Sequence, residues 1–153
     1  MSSTTAQIIK LSYFEIAGRG ELSRLLFTLG GVAFKDDRVA NFAESMTIER
    51  HAAKLSGMYS ADAAAALHVD MVSETLAELF EIYVVFVHEK DAIVKVARLA
   101  RFETEDVPKV FGVLEGLVKG AFFGGESTSY ADVHLLDLVL NSVNACLPQF
   151  SMA

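Results

Sequence analysis

The chain opens with a change of hydrophobic period. Ile9, Leu11 and Tyr13 alternate with Ile8, Lys10 and Ser12, the two-residue repeat of a strand whose faces differ. Leu22, Leu25, Leu26 and Leu29 then recur at i, i+3, i+4 and i+7, one apolar helix face. Between the two, Gly18 and Gly20 bracket Arg19 and permit a tight turn. Gly30-Gly31 stops the helix, and Phe34 to Val39 can return as a second strand. A β-α-β crossover of this kind lays its strands parallel.

Beyond a connector, Ala40 to Glu44, the repeat is helical. Ser45 to Leu55 carries Ile48, Ala52 and Leu55 on one side. Ala63 to Lys90 keeps the period through Val69, Val72, Leu76, Leu79, Phe80, Tyr83 and Val87. Asp91 to Arg101 sets Ile93, Val94 and Ala97 opposite Lys95, Arg98 and Arg101, a basic side read as solvated. Glu103 to Lys119 predicts a separate helix, with Thr104-Glu105-Asp106 ahead of Pro108 as its start. Ser129-Tyr130-Ala131-Asp132 is a capping box that opens a largely buried helix. Asp137 inside that helix needs a partner, expected from the loop before Ser129. The domains expected are an α/β unit at residues 1–56, a linker at 57–62 and an all-helical domain at 63–153.

Composition narrows the function classes. With 52% hydrophobic residues among 153, a buried core is within reach. A net charge of −7 argues against a nucleic-acid surface. One cysteine, Cys146, permits no internal disulfide and fits a reducing compartment. Met1 to Gln7 lacks a basic start with an apolar core behind it, and no apolar run approaches the ~20 residues of a membrane span. A soluble, cytoplasmic protein with no membrane partner is expected. His51, His68, His88 and His134 show no ligand spacing with one another or with Cys146, so no metal is expected.

Tyr13-Phe14, followed by Gly18-Arg19-Gly20-Glu21 and Arg24-Leu25-Leu26, resembles the opening of cytosolic glutathione transferases of the tyrosine type, nearest the sigma and pi classes. The resemblance implies an abridged thioredoxin-like β-α-β unit plus one helix, followed by an all-helical domain. It implies glutathione as co-substrate, a small apolar electrophile as second substrate, detoxification chemistry and a homodimer. In that family the tyrosine hydroxyl hydrogen-bonds the glutathione sulfur, a role carried here to Tyr13. The energetics suit one residue. The thiolate is the nucleophile, and lowering a thiol pKa by about two units takes roughly 2.7 kcal/mol. A charge-assisted hydrogen bond supplies about 1.5–3 kcal/mol.

Three other positions carry the resemblance further. Glu44-Ser45 is similar to the pair that holds the γ-glutamyl end of glutathione, and a helix N-terminus suits a carboxylate. Taken alone, Ser45 is also simply a good N-cap. Leu67-His68-Val69-Asp70-Met71-Val72 resembles the segment whose aspartate reaches the glutathione amino group of the neighbouring subunit; taken alone, Asp70 is also a solvated helix charge. Arg19 is implied to order the site loop.

The chain also departs from the family pattern. The family places a helix, a cis-proline turn and two antiparallel strands where only Ala40 to Ala43 separate Val39 from Glu44. The first proline is Pro108, and there is no tryptophan. The resemblance therefore covers nearly every residue present but lacks an internal block and the family's C-terminal helices. Two further readings follow: a non-catalytic module that binds ligands or dimerises, and a truncated inactive product. The catalytic reading requires that the Tyr13 phenol is neither buried in packing nor turned well away from the start of the helix at residue 45.

Overall fold

The computed structural model describes residues 9–38 and 45–146. The chain divides into two units, Met1–Tyr59 and Ser60–Ala153. Val39 and the connector through Glu44 lie outside the described residues.

In the first unit, β1 (Ile9–Tyr13) and β2 (Phe34–Arg38) pair in parallel, with Ile9 opposite Phe34 and Tyr13 opposite Arg38. Among the described residues the sheet has these two strands. The alternation of β1 works as its pattern predicts. Leu11 and Tyr13 are buried, while Lys10 stands outward and pairs with Asp37 at 2.7 Å. The Lys10 ammonium hydrogen-bonds that carboxylate and holds it below its ordinary pKa. A short 3-10 turn, Gly18–Gly20, leads into α1 (Glu21–Leu29), and α2 (Ser45–Leu55) packs on α1.

The buried side of α1 differs from the predicted stripe. Leu22, Ser23, Arg24, Leu26 and Phe27 are buried, whereas Leu29 is 55% exposed. The helix is turned so that Phe27 meets the Phe34 ring of β2, centroids 5.1 Å apart, which carries Leu29 round to solvent. Aromatic burial of this kind outweighs that of one leucine.

The second unit is helical. α3 (Ala63–Val87) starts at Asp62, whose carboxylate accepts from the Ala65 N–H at 2.8 Å. It ends short of the predicted Lys90, where Lys95 Nζ donates to the Val87 carbonyl at 2.8 Å. α4 (Ala92–Arg101) is capped by Asp91, which accepts from the N–H groups of Ile93 and Val94. α5 is Val107–Leu117, α6 is Tyr130–Leu138 and α7 is Asn144–Cys146. α3 packs against α5 and α6. Val72, Leu76, Leu79, Phe102, Val107, Tyr130 and Val143 are among the most buried side chains.

One expectation fails here. Residues 92–117 form one continuous helical run rather than two helices, because a π turn, Phe102–Asp106, joins α4 to α5. The Val107 N–H bonds the Phe102 carbonyl, a five-residue step. Pro108 lacks an N–H and would crowd the carbonyl four residues back, and the widened turn absorbs it without ending the helix. Beyond what the pattern predicts, the apolar side of α4 is exposed as well as its basic side. No residue of α4 is buried, and Ile93 is 84% exposed.

The capping box is present: the Asp132 carboxylate accepts from the Ser129 N–H and hydroxyl, both at 2.7 Å. Asp137 is satisfied one turn along its own helix, where Asn141 Nδ2 donates to Oδ1 at 2.7 Å. The fold class is the expected one, an abridged thioredoxin-like β-α-β unit with one further helix, then a helical domain. Among the described residues no helix is long and apolar enough to cross a membrane.

Candidate functional site

Tyr13 is the last residue of β1, so its side chain leaves the sheet where the strand gives way to the glycine turn. Its hydroxyl oxygen accepts a hydrogen bond from the Arg19 N–H at 3.0 Å. The turn is shaped around the phenol. A Cβ on Gly20 would sit 2.4 Å from Tyr13 Cδ1 and Cγ, a separation that allows only hydrogen. Gly18 adopts φ +43°, and a Cβ there would approach Tyr13 Oη to 3.1 Å. The first turn of α1 follows directly, and a helix start carries partial positive charge.

This geometry has a chemical consequence. The bond from Arg19 uses a lone pair of the phenol oxygen and not its proton. A hydroxyl that accepts from an N–H is polarised and donates more strongly. Tyr13 is 8% exposed, however, so most of the residue is packed. Phe14 stands edge-on to it, centroids 5.3 Å apart, and both Phe14 and Ile16 are exposed, at 36% and 62%.

The structure brings Tyr13 and Arg19 together, but through the Arg19 main chain. Ser45 is the first residue of α2, and Glu44 lies outside the described residues. Asp70 is in the other unit, half-buried on α3, and its Oδ1 accepts from the Tyr130 hydroxyl at 2.7 Å. That distance belongs to a strong O–H···O⁻ bond, so Asp70 is not a freely solvated charge.

Sequence reasoning missed Arg24. It is 6% exposed and its guanidinium lies 5.6 Å from the Tyr13 ring centroid. Helix periodicity carried no signal for it, since Arg24 lies off the Leu22, Leu25, Leu26 and Leu29 stripe; once buried, a guanidinium must be paired. Burial also pushes the Cys146 thiol up in pKa, as a small apolar packing residue requires and a reactive thiol does not. Among the described residues no three metal-ligating side chains come together.

The family model described as "Glutathione S-transferase, C-terminal domain" matches residues 77–152. The chain is 28% identical over 118 residues to S-crystallin SL11 of Nototodarus sloanii, covering 61% of this chain and 58% of that protein's length. It is 28% identical over 174 residues to Glutathione S-transferase 3 of Caenorhabditis elegans, covering 89% of this chain and 81% of the relative. That alignment is longer than the chain itself, in keeping with an internal block that has no counterpart here. Among solved structures, prostaglandin synthase D of Nilaparvata lugens superposes with a TM-score of 0.83 at 19% identity, covering 94% of this chain and 85% of that one.

Proposed function

The chain belongs to the glutathione S-transferase family, and on that premise we propose that it joins the glutathione sulfur to small apolar electrophiles. The observation that carries the reading is the Tyr13 hydroxyl held at the end of β1 by the Arg19 N–H at 3.0 Å. Glutathione supplies the nucleophile when bound. Tyr13 donates a hydrogen bond to the sulfur and favours the thiolate over the thiol. Glu44 and Ser45, at the start of α2, hold the γ-glutamyl end, and Arg19 orders the loop. Asp70 receives the amino group across a homodimer. Phe14, exposed beside the phenol, offers apolar surface to the electrophile. The setting is cytoplasmic and the role detoxification.

Turnover of chlorodinitrobenzene with glutathione tests this. Tyr13→Phe lowers the rate at least tenfold, about 1.4 kcal/mol, and preserves retention on immobilised glutathione. Equal rates in the two proteins remove Tyr13 from the mechanism.

A second reading is a non-catalytic member that binds ligands or dimerises. Two observations favour it: Tyr13 is 8% exposed, and six residues join β2 to α2 without a proline. Retention on immobilised glutathione with no turnover in either protein supports that reading. A chain that shows no cooperative thermal melt is instead a truncated, inactive product.

A further inference from the structure

Arg24 sits on α1, and its guanidinium joins the segment that follows Tyr13 to β2 and to the first turn of α1. Nη2 donates to the Phe14 carbonyl at 3.2 Å and Nη1 donates to the Ile16 carbonyl at 3.2 Å. Nη1 also reaches Glu21 Oε2 at 2.9 Å, and Nε donates to both carboxylate oxygens of Asp36 on β2, each at 3.2 Å. The same guanidinium lies over the Tyr13 ring. Asp36 also pairs with Arg38 at 2.6 Å, and Arg38 Nη1 approaches the Phe14 carbonyl at 3.4 Å.

A buried guanidinium is costly unless its N–H groups are satisfied, and here two carboxylates and two main-chain carbonyls satisfy it. The planar fork spans both carbonyls at once, which a lysine ammonium does not do. The carbonyls belong to the first and third residues after Tyr13, and three residues further on is the N–H that bonds the phenol oxygen. One end of the loop is thus tied to β2 and α1, and the other end closes on Tyr13.

We propose that Arg24 is a positioning residue: clamped by Asp36 and Glu21, it holds residues 14–16 so that the Arg19 N–H meets the Tyr13 hydroxyl. Its catalytic consequence rests on the reading of Tyr13 given above. Arg24→Lys keeps the charge beside Asp36 and Glu21, so the fold is retained while the fork is lost. Asp36→Asn is the second variant, which loosens the clamp without touching α1.

Amide hydrogen exchange at Arg19 reads the positioning directly, with no need for activity. In the full chain, Arg24→Lys speeds exchange at Arg19 at least tenfold and leaves Leu26 and Phe27 in α1 unchanged; Asp36→Asn acts in the same direction. Turnover of chlorodinitrobenzene falls at least fivefold in Arg24→Lys. The double variant Tyr13→Phe/Arg24→Lys is no slower than Tyr13→Phe, because Arg24 acts through Tyr13. Unchanged exchange at Arg19 in both clamp variants overturns the proposal, as do losses of turnover that add in the double variant. Faster exchange with turnover unaffected by Tyr13→Phe keeps the clamp and rejects the catalytic reading it serves.

Discussion

The Tyr130 hydroxyl donates to Asp70 Oδ1 across 2.7 Å, tying α6 to α3 inside the helical unit. Tyr130 is 1% exposed, so its hydroxyl depends on partners within the protein. Tyr130→Phe removes this bond to a charged group and lowers the unfolding free energy by about 1.5–3 kcal/mol in urea melts. Asp70→Asn keeps an acceptor and costs less. If Asp70 also receives the glutathione amino group, Asp70→Asn raises the KM for glutathione, whereas Tyr130→Phe acts chiefly on stability.

His134 makes the stability of the helical unit depend on pH. It is 8% exposed, its Nδ1 has no hydrogen-bond partner among the described residues, and burial pushes its pKa down from 6.5 to about 4. The folded state thus binds fewer protons than the unfolded state between those two values. The contribution is fully present above the unfolded pKa and is lost as pH falls toward the folded one. The full loss is about 3 kcal/mol, of which about 2 kcal/mol has gone by about pH 5. His134→Leu flattens this part of the profile, measured as urea-melt free energies at about pH 7 and about pH 5. An equal fall in both proteins assigns the acid loss to the carboxylates.

What the sequence made legible is what local chemistry decides. The change of period around Gly18 and Gly20 specifies β1, α1 and their parallel return, because one face of each must be buried. Asp62, Asp91 and the Ser129–Asp132 box mark helix starts through bonds of three residues or fewer. The unreadable parts depend on distant partners. Asp70 finds its donor 60 residues away. Arg24 is held by Asp36 and two carbonyls, so its burial follows from the shape of the turn and not from helix periodicity. Pro108 reads as a helix start because local rules do not reveal that the preceding turn can widen. The basic side of α4 was read as solvated, and the period alone did not reveal that Ile93 on the opposite side is also exposed.

Asp132 does more than cap α6. Besides the Ser129 N–H and hydroxyl, its carboxylate accepts from the Phe123 N–H at 3.0 Å and so ties the loop before α6 to the helix start. Phe123 is 3% exposed, so releasing that loop also unpacks an aromatic ring. A cap alone is worth about 0.5–2 kcal/mol, and the added charged bond raises the cost of Asp132→Ala to about 3 kcal/mol. Asp132→Asn retains one acceptor and falls between, which urea melts resolve.

Gly20→Ala tests how tightly the turn is built on Tyr13. The new methyl would meet the ring at 2.4 Å, so either the phenol moves or the turn opens. The backbone of Gly20, at φ −79°, suits alanine, so the cost is contact and not conformation. Overpacking of this kind destabilises by about 1–3 kcal/mol. Alanine at a helix edge returns only a fraction of that through propensity. The displacement also separates the phenol oxygen from the Arg19 N–H, so turnover falls by more than the loss of folded protein explains. Faster amide exchange at Arg19 reports the same displacement without any substrate. If Gly20→Ala melts like the parent and keeps its rate, the ring is not held by the turn, and the hydroxyl must be positioned by something other than the Arg19 amide.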